Sequence, residues 1–173
     1  MSTILGSDIS ARIITVLEDY LPAELDLIDI QRGGSATANI SAYYAGSRPV
    51  VPIYPSITVD VQRWEITEAR PVSLDTGRLG YDAHALVGVH VQTVGEDVNR
   101  MRDLAERYMA GVVRVLVIRK DGLETALDNT RMSGSCEGVR MDGDAVVIDE
   151  GQGSGAMIRS VKIPLVVWMI EGL

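Results

Sequence analysis

Between Val98 and Leu116 the apolar residues keep a helical period without a miss. They are Val98, Met101, Leu104, Ala105, Tyr108, Met109, Val112, Val113 and Leu116. This spacing predicts a helix over 96–117, which at 1.5 Å per residue is roughly 30 Å long. Such a stripe needs an apolar surface to lie on. Gly95 precedes the segment, Glu96 and Asp97 suit its first turn, and Gly122 follows it. Gly111 sits inside, at a cost of about 1 kcal/mol against Ala. That predicts a close approach to a sheet.

Two alternating segments lie just before this helix. In 56–66, Ile57, Val59 and Val61 share one side, and Thr58, Asp60 and Gln62 the other. In 83–94, Ala85, Val87, Val89 and Val91 share one face, and His84, Leu86, Gly88, His90 and Gln92 the other. Period two marks half-buried strands, and the pair is expected to be antiparallel. Thr67–Asp82 between them contains Pro71, Gly77 and Gly80, too long for a tight turn. It is expected to form a long hairpin tip or a projecting arm.

Nearer the N-terminus, Ile9, Ile13, Val16, Leu17 and Tyr20 form one apolar stripe. They predict a helix over 8–20, capped by Ser7 or Asp8 and ended by Pro22. Segment 31–55 carries Gly33-Gly34, Gly46, Pro49, Pro52 and Pro55 and reads as an irregular connection. Downstream, 121–135 is polar and turn-rich. Strands are expected at 136–141 and 145–149, with Asp142-Gly143-Asp144 as a hairpin turn. After a turn at Gly151–Gly155, a last strand covers 156–170, with Pro164 marking an edge position or a bulge. The fold expected is one domain, 1–173, of the α+β class. It has a mixed or mainly antiparallel sheet, two covering helices and a long hairpin arm between its first two strands.

The chain has sixteen basic residues against twenty-four acidic ones, a net charge of −8, and residues 121–173 hold nine acids against four bases. That balance repels phosphate backbones and argues against specific nucleic-acid binding. Arg114, Arg119 and Lys120 form the densest basic stretch, and they complement the C-terminal end of a helix dipole. Glu18, Asp19, Glu24, Asp26 and Asp29 form an acidic stretch without a base, read as a solvated face.

Catalytic patterns do not emerge. His84 and His90 are six residues apart on one strand, roughly 20 Å at about 3.4 Å per residue, too far to share a metal. The single cysteine, Cys136, has no histidine near it in sequence and cannot form an internal disulfide. Asp142-Gly143-Asp144 lacks the other positions of a calcium loop. Gly151–Gly155 precedes a strand rather than a helix, so it reads as a turn and not as a phosphate cradle. Neither a Gly-x-Ser-x-Gly elbow nor a His-Glu-x-x-His pair occurs. No catalytic residue, cofactor or metal site is therefore expected. Asn39-Ile40-Ser41 fits the glycosylation pattern by chance. The N-terminus does not read as a signal peptide, and the longest apolar run, Ile163–Ile170, is too short to span a membrane.

The order of elements resembles that of the tail terminator proteins of long-tailed bacteriophages, also called tail-completion or minor tail proteins. Several segments carry the likeness. They are the helix Asp8–Tyr20, then Tyr54-Pro55-Ser56-Ile57-Thr58-Val59 opening the first strand, and Leu86-Val87-Gly88-Val89-His90-Val91 running through Gly95-Glu96-Asp97 into the long helix. The final strand Val161–Ile170 completes it. The resemblance implies a non-enzymatic virion protein made in the host cytoplasm and used at the tail or neck. It implies a ring, usually of six copies, on the head-proximal end of the tail tube, where it ends tube growth. The partners implied are further copies of the chain, the tail tube protein and the head–tail connector or stopper protein. DNA passes through the lumen without specific binding. Other readings are another head–tail joining or neck protein, and a small cytosolic enzyme whose site is assembled only by folding.

Within Thr67–Asp82, the charges Glu68, Arg70, Asp75, Arg78 and Asp82 suit a polar interface rim. Leu74, Leu79 and Tyr81 are the apolar residues that could anchor in a partner's groove. The expected interface set is thus Leu74, Arg78, Leu79 and Tyr81.

Overall fold

The computed structural model describes residues 6–34, 36–46, 51–73, 78–118, 134–141, 143, 146–151 and 157–172. Within these, Gly6, Asp8, Trp64, 66–73, 78–83, 134–140, 146–151, Met157 and 168–172 are described by backbone alone. The elements run α1 (Gly6–Arg32), β1 (Ala42–Ala45), β2 (Ser56–Ser73), β3 (Arg78–Gly95) and α2 (Val98–Val113). A π-helical turn (Arg114–Ile118), β4 (Gly134–Met141), β5 (Val146–Gly151) and β6 (Met157–Gly172) follow. The sheet is mixed. Its order is β1-β2-β3-β6-β4, and β5 pairs with β6 as well. Among the described strands, only the β1–β2 pair is parallel. Both helices pack on one face, α1 against β1 and β2, α2 against β3 and β6. This is the α+β layer arrangement that the sequence predicts.

The odd-numbered residues of the long strands build the core. Ile57, Val59, Ala85, Val87, Val89, Val91, Val161, Ile163, Leu165 and Val167 are all buried beneath the helices. Leu17, Leu21 and Leu25 from α1 and Tyr108, Val112 and Leu116 from α2 and the π turn meet them. Asp97, expected within the first turn of α2, instead caps it from outside, accepting from the amides of Asn99 (2.9 Å) and Arg100 (3.2 Å).

Several expectations change. Helix α1 does not stop at Pro22 but runs 27 residues to Arg32. An interior proline costs about 3 kcal/mol. Leu25 and Ile28 continue the buried stripe beyond it, and each contributes about 1.5–3 kcal/mol by burial. The helix ends instead at Gly33 and Gly34, which take φ of +69° and +95°, conformations open to glycine. Residues 31–55 are not wholly irregular, since Ala42–Ala45 adds a short parallel strand beside Ser56–Val59.

Asp142-Gly143-Asp144 is not a hairpin turn. Strands β4 and β5 pair with the same strand in the same direction, β4 along 165–171 and β5 along 157–162. They form one interrupted strand along a single edge of β6. Gly143 has φ +97°, so the local turn signal holds, but the chain jogs there without reversing.

Pro164 is not at a sheet edge, and the bulge expected there falls opposite 142–145, which lie mostly outside the described residues. Strand β6 is internal, between β3 and the β4/β5 edge. Among the described residues, Met141 pairs with Leu165 and Val146 with Lys162, so Pro164 falls at the gap between the two partners. Among the described residues, the residue without an N–H thus lies between the two paired stretches of that edge.

Strands β2 and β3 extend beyond 66 and 83, pairing as far as Ser73 and Arg78. Irregularities between Val61 and Arg63, Ile66 and Glu68, and Pro71 and Ser73 reset the alternation, which is why period two fades along this stretch. Beside β3, β6 pairs out to Gly80↔Gly172, so the hairpin runs on without β6 only beyond that pair.

Candidate interaction surface

Helix α2 presents two different sides besides the one on the sheet. Toward α1 it presents Arg107, Gly111 and Arg114. The guanidinium of Arg107 is buried, with Nη1 donating to Asp29 Oδ1 at 2.6 Å, Nε to Asp103 Oδ2 at 2.8 Å and Nη2 to the Gly33 carbonyl at 2.9 Å. The Thr37 amide and hydroxyl each donate to Asp29 at 2.5 Å. The Tyr108 hydroxyl donates to the Ala38 carbonyl at 2.6 Å. Five of these six hydrogen bonds join the end of α1, the loop after it and α2 to one another. The Thr37 hydroxyl and amide and the Arg107 guanidinium outweigh burial and hold Asp29 below the usual carboxylate value. Burial, with the Asp29 charge nearby, pushes the Tyr108 phenol up to about 12. With its polar groups paired this closely, the cluster reads as a fastener rather than a reactive site.

The opposite side of α2 borders a cleft of about 550 Å³. Ala105, Met109 and Ala110 of α2 and Val161 of β6 give it an apolar floor. Arg32 of α1, Arg102 and Glu106 of α2, and Arg159 of β6 line it with charge. Glu106 bridges Arg102 at 3.4 Å and Arg32 at 3.6 Å. Among the described lining residues, three guanidinium groups and one carboxylate meet here, in a chain of net charge −8. The Arg102 side chain is 75% exposed, whereas Arg159 is buried in the sheet face below it.

The outward side of α1 has the reverse character. Asp19, Ala23, Asp26, Leu27 and Ile30 recur at helical spacing and are all exposed, Ile30 at 79% and Leu27 at 48%. The acidic stretch expected to be a solvated face is therefore part of a helix, and its outer side mixes carboxylates with large apolar groups.

The sheet face away from the helices is polar. One cross-strand row holds Thr58, His90 and Lys162. Burial and the nearby Lys162 charge lower the His90 pKa, with Asp60 opposing. The hydroxyls of Ser56 and Thr58 are buried without a hydrogen-bond partner among the described residues. His84 lies on the same strand, six positions from His90, across from Glu65 and Trp168.

Of the expected interface residues, Leu74 lies outside the described residues. Arg78, Leu79 and Tyr81 are placed by backbone only, across from Ser73, Pro71 and Ala69. Cys136 sits on β4, across from Met169, also by backbone alone. The cleft arginines escape sequence reading, because Arg32, Arg102 and Arg159 come from three distant segments. Only the i,i+4 pair Arg102–Glu106 is a local signal. Among the described residues, no group of three His, Cys, Asp or Glu could hold a metal ion, and no helix is long and apolar enough to cross a membrane.

No family model matches the chain, and no curated protein matches it. Among solved structures, it is similar to a chain described as "Virion of native gene transfer agent (GTA) particle". The two share 14% identity and a TM-score of 0.45, over 91% of this chain and 97% of that one.

Proposed function

We propose that this chain is a structural subunit of a tailed-phage virion. It closes the head-proximal end of the tail tube as a homomeric ring, a role that requires no turnover chemistry. The observation that carries this reading is the order of elements. An N-terminal helix, a long antiparallel strand pair, a long helix and a long closing strand build one helix layer on one sheet. That order is the one on which the likeness to tail terminators rests. Support also comes from the surface, where a basic cleft and an acidic helix face lie on different parts of the same chain. Surfaces of opposite character on one subunit suit head-to-tail contacts, which close into rings.

In this reading the ring ends tube growth by covering the tube protein's last layer, and its other side meets the connector or stopper. DNA passes through the hole, where a net negative subunit keeps phosphates from adhering. Native mass spectrometry of the full chain at high concentration, with imaging of particles that contain it, tests the proposal. One cyclic stoichiometry at the tail–head junction is expected. A chain that stays monomeric within assembled particles, or that occurs elsewhere in them, overturns it.

A further inference from the structure

We infer that the arginine-lined cleft is the seat for a second copy of this chain, and that the segment it receives is the outer side of α1. The inference deepens the ring reading and rests on it for the identity of the partner.

Charge selects the occupant. At the cleft mouth Arg102 and Arg32 are exposed around Glu106, with the Arg159 guanidinium below, while Asp19 and Asp26 stand exposed along α1. Apolar surface matches as well. Leu27 and Ile30 flank Asp26 and are exposed, and the cleft floor consists of Ala105, Met109, Ala110 and Val161. The two alanines of the floor, Ala105 and Ala110, leave room for bulky side chains of a docked helix. A bare phosphate chain would gain from the arginines, but it would meet Glu106 and leave the apolar floor uncovered.

Position in the fold points the same way. Helix α1 packs on β1 and β2, at one end of the sheet, and α2 packs on β3 and β6. The cleft opens beside α2 over β6, toward the end where β5 and β4 add to the sheet. A neighbour's α1 seated there would continue the helix layer as α1–α2–α1–α2. It would also bring the neighbour's β1 edge toward the β4/β5 edge. The contact joins two different patches, so it is heterologous and closes into a ring if its rotation divides the circle.

A charge swap in the full-length chain tests this. Arg102→Glu and Asp26→Arg each place like charges together and should weaken self-association at least about tenfold, read by sedimentation and native mass spectrometry. Both residues are exposed, and circular dichroism should show each variant folded. The double variant Arg102→Glu/Asp26→Arg restores opposite charges across every contact and should recover association to near the parent. If the parent assembles and neither single variant weakens it, the cleft is not the seat, and the ring reading stands without it. If the singles weaken assembly and the double variant does not recover, the pairing of these two surfaces is wrong. If Arg102→Glu leaves assembly intact but abolishes retention of duplex DNA, the cleft is a phosphate site and the proposal fails. A parent chain that remains monomeric even in its particle overturns both this inference and the ring.

Discussion

Arg107 places its Nη1 2.6 Å from Oδ1 of Asp29, a residue 78 positions earlier in the chain. The pair is nearly excluded from water, with side-chain exposures of 7% and 15%. Such a pair contributes little net stability compared with an apolar replacement, but breaking one half is costly because the other charge stays buried. It fixes how the end of α1 and the loop through Thr37 sit on α2.

Asp29→Ala is therefore expected to destabilise the fold by about 3–5 kcal/mol, measured by urea unfolding. The double variant Asp29→Ala/Arg107→Met should cost less than the sum of its singles, since no charge is then left alone. Additive losses would mean that the two residues act independently.

Acid should loosen the same junction. Thr37 and Arg107 hold the Asp29 carboxyl below 3.8. A depressed folded value means that its stabilisation is complete above the unfolded value and is lost as pH falls through the lower folded one. His90 acts in a higher window. Its folded value lies below 6.5, so the unfolded chain binds the proton more readily, and stability drops as pH falls below about 6.5. Urea midpoints from pH 7 to pH 2 should fall in both windows. His90→Gln should flatten the upper one, where Lys162 and Asp60 are the neighbouring charges, and Asp29→Asn the lower.

Gly111 separates the two helices. A Cβ there would lie 2.8 Å from Leu21 Cδ1 and 3.1 Å from Leu25 Cδ2, so the close approach expected of this glycine is to α1 and not to the sheet. Alanine gains about 1 kcal/mol in helix propensity. Overpacking against two buried leucines costs about 1–3 kcal/mol. Gly111→Ala should thus lower the melting temperature slightly, and Gly111→Val sharply. A rise with alanine would show that the leucines can yield.

The tip of the β2–β3 hairpin is expected to serve assembly rather than folding. Arg70 pairs with Gly80, and β6 accompanies β3 only as far as Gly80. Replacing 71–79 by a two-residue turn should leave the unfolding transition within about 1 kcal/mol, as for surface changes away from a core. The same change, which removes Leu74, Arg78 and Leu79, should abolish ring formation or tail completion. Normal assembly would remove that role from the tip, and loss of folding would assign it to the core.

Much of the layer plan is legible in the residues themselves. The stripe from Val98 to Leu116 and the alternation of Ile57–Val61 and Ala85–Val91 each repeat at the period of one element, so side-chain burial alone fixes their type and inner face. The cap at Asp97 is local too. Bulges interrupt this logic in β2, where one extra residue shifts the alternation without leaving a mark in composition.

The sequence by itself determined the type and inner face of the segments with an unbroken period, 8–20, 56–61, 83–94 and 98–113, because those properties depend on neighbours within a few residues. Only the tertiary structure decided that α1 continues through Pro22, since burial of Leu25 and Ile28 outweighs the local penalty. It alone decided that β4 and β5 lie in line along β6 with Gly143 as a jog, because a turn signal specifies a bend and not the strand's partner. Likewise, Arg32, Arg102 and Arg159 meet around one cleft only once α1, α2 and β6 have packed. Charge carries no period, and its partners are set by whichever surfaces the core brings together.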